Sequence, residues 1–459
     1  MMHELLAVQR EALKQSRLSL PGDHRVEVEQ RLGVLRSLQR QFKAQETDIL
    51  QALHSDLGKS AAEGYATELA LVYAELRHTI RHLKNWMAPR RTSASLAATP
   101  GRGRVQAEPY GHVLIISPWN YPFQLSMIPL IGALAAGNHC IVKPSQQSPE
   151  TGKVMRDIVE KALPRELAAV VLGSREESDA LLNERFDYIF FTGSPTIGKH
   201  VMERASHHLT PVTLERGGKS PCLVDETADI PLAARRIAFG KGINAGQTCI
   251  APDYVLAHES IAHQLMEGIA QNWTQFYGAD ALANPQWPRI INQRHYQRLM
   301  GLLSGEAICH GGLGDGMRIQ PTLLKDVTWD SPVMQEEIFG PLLPVITYQS
   351  LDEVLRRLAE MEKPLAFYFF SKDRSRIRRV LHATAFGGGC VNDCLMHVTS
   401  SELPFGGVGQ SGMGRYHGKA SFDTFSHHKS VLFKGGFDVP FRYPPYSQNK
   451  FTLLKRLLK

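Results

Sequence analysis

The run DYIFFTGSPTIG, Asp187 to Gly198, leads an apolar stretch into a glycine turn and then into the start of a helix. A strand apolar on both faces is what a buried parallel sheet requires. The turn places Gly193, Ser194 and Gly198 where backbone N–H groups and a helix dipole suit a pyrophosphate. It lacks the GxGxxG pattern, so a purely structural turn reads equally well. Outward from this run, HVLIIS (His112 to Ser117), CIVK (Cys140 to Lys143), AAVVL (Ala168 to Leu172) and PVTL (Pro211 to Leu214) alternate with helix-length segments. This is the pattern of a Rossmann-like, doubly wound α/β domain. Downstream, PCLV, DYVLA, PLLPVITY and AFYFF repeat the alternation, predicting a second α/β domain from about Gly217. Upstream, Val28, Leu32, Leu35, Phe42, Ile49 and Leu53 fall at helical spacing, and a second helical stretch runs from about Ala62 to Met87. RRTSASLAATPGRG, Arg90 to Gly103, reads as a linker.

A chain of 459 residues exceeds one hydrophobic core, and 43% apolar with 21% charged residues is an ordinary globular balance. The net charge of +7 is concentrated at the end of the chain. From His427 to Lys459, seven Lys and Arg residues face Asp438 alone. No basic stripe interleaved with aromatics lies in the body, which excludes nucleic acid as a partner. Six cysteines in so long a chain form no disulfide framework, and no apolar signal run opens it, so a cytoplasmic protein is expected. No stretch reaches the roughly 18 apolar residues of a membrane span. The tail KFTLLKRLLK (Lys450 to Lys459) places Phe451, Leu454 and Leu458 on one helical face among basic residues. It suits either weak contact with an anionic membrane surface or docking on protein, and its small apolar area favours docking.

NAGQTC, Asn244 to Cys249, sets a cysteine after a glycine in a polar loop, a setting for an exposed thiol or an inert buried one. LERGGKSP, Leu214 to Pro221, supplies Glu215 as a candidate base, with a solvated surface glutamate as the plainer reading. Cys390, Cys394 and His397 have metal-like spacing, but no fourth ligand accompanies them, and no metal site is expected.

Taken together these motifs resemble the aldehyde dehydrogenase superfamily over nearly the whole chain. PWNYP (Pro118 to Pro122), KPS (Lys143 to Ser145), FTGS, LExGGKSP, NxGQxC, EEIFGP (Glu336 to Pro341) and PFGGVGQSGMGRYHG (Pro404 to Gly418) occur in family order. DLGKS (Asp56 to Ser60), VNDCLMH (Val391 to His397) and RYPPY (Arg442 to Tyr446) look like the class-three branch of fatty and aromatic aldehyde oxidisers. The resemblance implies Cys249 as nucleophile, Asn120 as oxyanion donor and Glu215 as the base for hydrolysis. It assigns Trp119, Lys143, Ser145, Gln146, Gly193, Ser194, Gly198, Glu337 and Phe339 to NAD or NADP. It implies an NAD(P)-binding domain at 1–90 and 110–216 and a catalytic domain at 217–415. An oligomerisation or bridging element at 91–109 and 416–435 and a basic tail at 436–459 complete the expected organisation, and a homodimer is implied. The substrate tunnel is expected near Tyr65, Phe123, Cys394 and His397.

Two positions depart from the family pattern. Gln146 stands where many NAD-preferring members have Glu, and a neutral amide repels a 2′-phosphate less than a carboxylate does, so NADP is expected to be accepted beside NAD. Arg216 stands where Leu is usual, and an outward, solvated side chain is the expected arrangement. The competing activities are transfer of the thioester to coenzyme A and a non-catalytic binding role. The presence of Glu215 argues against the first, and intact Cys249, Asn120 and Glu215 argue against the second.

Overall fold

The computed structural model describes residues 2–19, 24–95, 98, 100–437 and 443–457. Arg442 of RYPPY and Leu458 of the tail face lie outside them. Three sheets organise the described residues. The first runs β15-β7-β6-β3-β4-β5, built from β3 (His112–Ile116), β4 (His139–Lys143), β5 (Ala168–Val170), β6 (Tyr188–Thr192), β7 (Val212–Glu215) and the short β15 (Gly412–Met413). Its strands are parallel except β15, which pairs antiparallel with β7. Every residue of β4 and β6 is buried, as helices covering both faces demand.

The second sheet runs β10-β11-β12-β9-β8-β13-β14. Its strands are β8 (Pro221–Val224), β9 (Tyr254–His258), β10 (Ala307–His310), β11 (Thr322–Lys325), β12 (Leu342–Tyr348), β13 (Ala366–Phe370) and β14 (Gly388–Val391). The third is an antiparallel ribbon of β1 (Arg90–Ser93), β2 (Gly101–Pro109) and β16 (Ser426–Lys434). The stretch expected as a linker therefore holds β1 and the start of β2. Its half-exposed, polar strands pair with each other, and β2 pairs with β16, more than 300 residues away in the chain.

The N-terminal region is also more divided than its periodicity predicts. An unanticipated helix, α1 (Met2–Ser19), buries Leu5 and Leu6. Gln45 leaves helical geometry at φ −112°, ψ 23° and separates α2 (His24–Ala44) from α3 (Glu46–Leu57). Then α4 (Ala61–Gly64) passes through a π turn at Tyr65–Leu69 into α5 (Ala70–Met87). Leu35, Leu38 and Phe42 of α2 are fully buried, each stabilising the fold by about 2–3 kcal/mol. Against them packs α6 (Gln124–Ala136), buried at every position.

In the first sheet, the strand order reverses between β3 and β6. Open α/β sheets bind ligands beyond the carboxyl ends of the strands at such a switch point. Trp119 and Asn120 follow β3, Lys143 ends β4, Gly193 and Ser194 follow β6, and Glu215 ends β7. Facing them are segments that precede strands of the second sheet: Gly217 before β8, Cys249 before β9 and Glu337 before β12.

Candidate active site

Beyond α7 (Pro149–Ala162), α8 (Arg175–Leu182) and α9 (Pro195–Ser206), α10 (Ile230–Gly242) delivers the chain to the cysteine loop. Asn244, Ala245 and Gly246 take left-handed φ values of 51°, 49° and 72°. Two of these are non-glycine residues in a strained conformation, which persists only where surrounding contacts over-determine it. The contacts are present. Asn244 N–H donates to Glu63 Oε1 at 2.6 Å, and its Nδ2 donates to the carbonyls of Asn120 (2.9 Å) and Gln247 (3.1 Å). Gln247 Nε2 donates to Arg289 O at 2.9 Å, and its Oε1 accepts from Ile291 N–H at 3.0 Å. Gly246 admits no side chain, because a Cβ there would stand 2.2 Å from Gly340 O.

The loop leaves Cys249 half-buried at the wall of a cavity of about 350 Å³, lined mainly by apolar side chains such as Leu71, Leu125, Phe239 and Met396. Burial, then the nearby Glu337 and Glu215 carboxyls, push its thiol up to about 12. The cavity is lined in the region expected, by Ala66, Gln124, Leu395, Met396 and Val398, the chain neighbours of Tyr65, Phe123, Cys394 and His397. Tyr65 points outward, Phe123 packs on the Phe42 ring in the core, and Cys394 is fully buried. Cys390 Sγ lies 3.6 Å from His397 Nδ1. No group of three metal-ligating side chains occurs among the described residues.

Asn120 is buried, and its Nδ2 donates to Gln247 O at 3.1 Å, two residues before Cys249. A fully buried ion pair holds this segment: Lys59 Nζ lies 2.6 Å from Glu68 Oε1. The same ammonium donates to Asn120 O at 2.9 Å and stands 4.0 Å from the Tyr121 ring centre. Glu68 Oε2 accepts the Phe123 and Gln124 N–H groups at 2.9 and 3.2 Å, at the start of α6. Sequence reading used DLGKS only as a branch marker and missed this pair. Its signal was available, since Glu68 shares the 3–4 spacing of Leu69, Val72, Leu76 and Leu83 on the buried face.

Glu215 is 1% exposed, and neither carboxylate oxygen has a hydrogen-bond partner among the described residues. Burial raises its pKa well above the usual carboxylate range, and the Gly407 N–H facing it only partly opposes this. Glu337 is pushed up to about 8, mainly by burial and then by Asp253, against the Gly218 N–H, Lys219 and Lys241. It packs on Gly217, where a Cβ would stand 2.2 Å from Glu337 Oε1. Phe339, at φ 51°, meets the Trp119 ring edge-on at 5.4 Å.

The remaining candidates line the switch-point cleft in two groups. Gly193 N–H donates to Glu215 O at 3.0 Å, which ties the glycine turn to the candidate base. Ser194 caps α9 by accepting from Ile197 N–H, and Gly198 is buried in its first turn. Farther out, Lys143 Nζ donates to Pro144 O and Gly173 O at 3.0 and 2.9 Å; Ser145 Oγ accepts from Gln147 N–H; and Gln146 is exposed. Arg216 is not solvated as expected: it is buried, its Nη2 donates to Gly409 O, and it contributes nothing to the Glu215 shift.

This geometry has counterparts among known proteins. A profile of the aldehyde dehydrogenase family matches residues 7–431. The 4,4′-diaponeurosporen-aldehyde dehydrogenase of Staphylococcus aureus is 47% identical over 93% of this chain and 94% of its own. Aldehyde dehydrogenase family 3 member A2 of Mus musculus is 46% identical over 94% of this chain and 91% of its own. Among solved structures, Staphylococcus aureus AldH in a substrate-bound state superposes with a TM-score of 0.96 at 44% identity, covering 100% of both chains.

Proposed function

Since the chain belongs to the aldehyde dehydrogenase family, oxidising an aldehyde to its acid with NAD or NADP, we propose that Cys249, Asn120 and Glu215 carry the reaction. The observation that carries this assignment is a thiol opening onto an apolar cavity while the carboxyl of Glu215 lies buried beside it without a partner. In our reading, Cys249 Sγ gives its proton through water to solvent and attacks the aldehyde carbon to give a tetrahedral thiohemiacetal. Both neighbouring carboxyls favour the protonated state, which lessens like-charge opposition to a thiolate. Asn120 Nδ2, which has a second N–H beyond the one given to Gln247, and the Cys249 N–H donate to the oxyanion, a contribution of about 3–4 kcal/mol for one such donor. The bound coenzyme supplies the hydride acceptor. Once its own proton has passed to solvent, Glu215 as a carboxylate takes a proton from the water that attacks the thioester; the C–S bond breaks, the acid leaves, and the Cys249 thiolate is regenerated.

The cleft fits a nicotinamide dinucleotide. Gly217 leaves room that a Cβ would fill against Glu337, and Ser194 to Ile197 at the start of α9 are exposed. Gly193, Ser194 and Gly198 would hold the pyrophosphate end, Glu337 and Phe339 with Trp119 the nicotinamide riboside, and Lys143, Ser145 and Gln146 the adenosine ribose. The cavity's apolar lining supports medium- or long-chain aliphatic or aromatic aldehydes as substrates. Reduced-nicotinamide formation from such an aldehyde, with and without coenzyme A, tests the reading. Turnover independent of coenzyme A and abolished in Cys249→Ala is expected; turnover only with coenzyme A would replace it by the acylating activity, and none in either condition would leave a non-catalytic member.

The proposed domains largely follow sheet membership: 110–216 supplies β3 to β7, 217–415 supplies β8 to β14 but also β15, which joins the first sheet, and the ribbon is formed from 91–109 and 416–435. Exposed Val431, Leu432 and Phe433 on β16 support the ribbon as the contact of a homodimer. No helix of the described residues is long and apolar enough to cross a membrane. A cytoplasmic location remains our proposal. In the tail helix Gln448–Leu457, Phe451 and Leu453 are exposed, which keeps weak membrane-surface contact beside docking on a partner subunit. Vesicle co-sedimentation of full-length and tail-truncated protein separates the two.

A further inference from the structure

The turn that carries the proposed base also carries a side chain without a part in the reaction. Arg216 is 6% exposed. A buried cation is costly unless it is paired. Nη2 donates to Gly409 O at 2.8 Å, but Nε is buried without a hydrogen-bond partner among the described residues, and no carboxylate offsets the burial. Its stem runs against the first turn of α9, where a Cβ on Gly198 would meet Arg216 Cδ at 2.9 Å. The next residue, Gly217, abuts Glu337. The side chain thus runs from the turn after β7 along the first turn of α9 to Gly409. A cation that no carboxylate offsets lies there beside a helix start, and a phosphate oxyanion is the group that would offset it.

We propose that Arg216 is a coenzyme-binding residue, donating to the phosphate on the nicotinamide side of the dinucleotide. This rests on the cleft assignment above. The two coenzymes differ only at the adenosine 2′ position, beside Gln146, so the contact is common to NAD and NADP and does not discriminate between them.

The test is calorimetric titration of the full chain with NAD, NADP and AMP, in native protein and in Arg216→Leu, whose aliphatic stem keeps the packing on Gly198. Loss of a charged donor predicts affinities for NAD and NADP about tenfold weaker or more, by the same factor for both. AMP, which lacks the nicotinamide-side phosphate, should bind within about twofold of native, by the same reasoning. Unchanged NAD affinity would overturn the proposal. So would AMP binding weakened as much as NAD, which marks a structural role alone. If Arg216→Leu does not fold, Arg216→Lys is judged by the same criteria, with severalfold weakening expected because the planar fork is lost. Native protein that binds neither dinucleotide would remove the cleft assignment itself.

Discussion

Replacing Glu215 by Gln should stabilise the protein while stopping its turnover. The carboxyl is 1% exposed, and both oxygens lack partners. Leaving such a polar group unsatisfied costs about 1–3 kcal/mol in proteins, and more once it is charged. Because burial raises the folded-state pKa, the folded chain holds this proton more tightly than the unfolded chain. The associated stability is therefore complete below the unfolded carboxyl pKa and is lost progressively as pH rises towards the folded value. Glutamine removes that dependence. Unfolding a chain of this length carries an entropy of about 1 kcal/mol per kelvin, so each kcal/mol of ionisation cost that the amide avoids corresponds to a rise of about 1 °C if it melts as one unit. Scanning calorimetry of both proteins between pH 5 and 9 should show a gap in Tm that widens with pH. Rapid mixing of the variant with aldehyde and NAD should give one burst of reduced coenzyme and then a stall. A variant less stable than native at every pH, or one with normal steady turnover, would refute the reasoning.

Breaking the Lys59–Glu68 pair with Lys59→Met should cost about 3–5 kcal/mol by stranding a buried carboxylate, and Lys59→Met with Glu68→Gln, whose amide oxygen still accepts the Phe123 and Gln124 N–H groups, should recover part of it in denaturant melts. Gln146→Glu should lower kcat/KM for NADP relative to NAD; an unchanged ratio would mean this exposed side chain does not meet the 2′ position. Glu337 raises the Cys249 thiol pKa, so Glu337→Gln should speed alkylation by iodoacetamide at pH 8.5. Slower alkylation would instead make Glu337 the group that takes the thiol proton.

The buried strands were legible because their apolar residues are contiguous: CIVK and DYIFF needed no partner to be recognised. The ribbon was not. Arg102, Arg104 and Gln106 alternate with small residues on an exposed surface, and pairing with β1 and β16 makes them a strand. Motif order identified Cys249, Asn120 and Glu215 as a group, but the devices that hold them depend on burial that spacing does not report. Arg216 illustrates the limit. Charge predicted solvent, while the glycine opposite it allowed the stem to lie flat against α9.

The pairing of β15 with β7 has a consequence for synthesis. Gly412 is the register partner of Glu215, and Arg216 N–H donates to Ser411 O. The strand covering the proposed base is therefore translated about 200 residues after it, roughly 10–40 s later at ribosomal speeds of about 5–20 residues per second. Until then β7 is an unpaired sheet edge, and the cysteine loop leaves the ribosome before the carboxyl opposite it can be sealed from water. Competence to react is gained last, when nearly all of the first two sheets already exists, so a truncated nascent chain carries the thiol without the enclosure that would make it an enzyme.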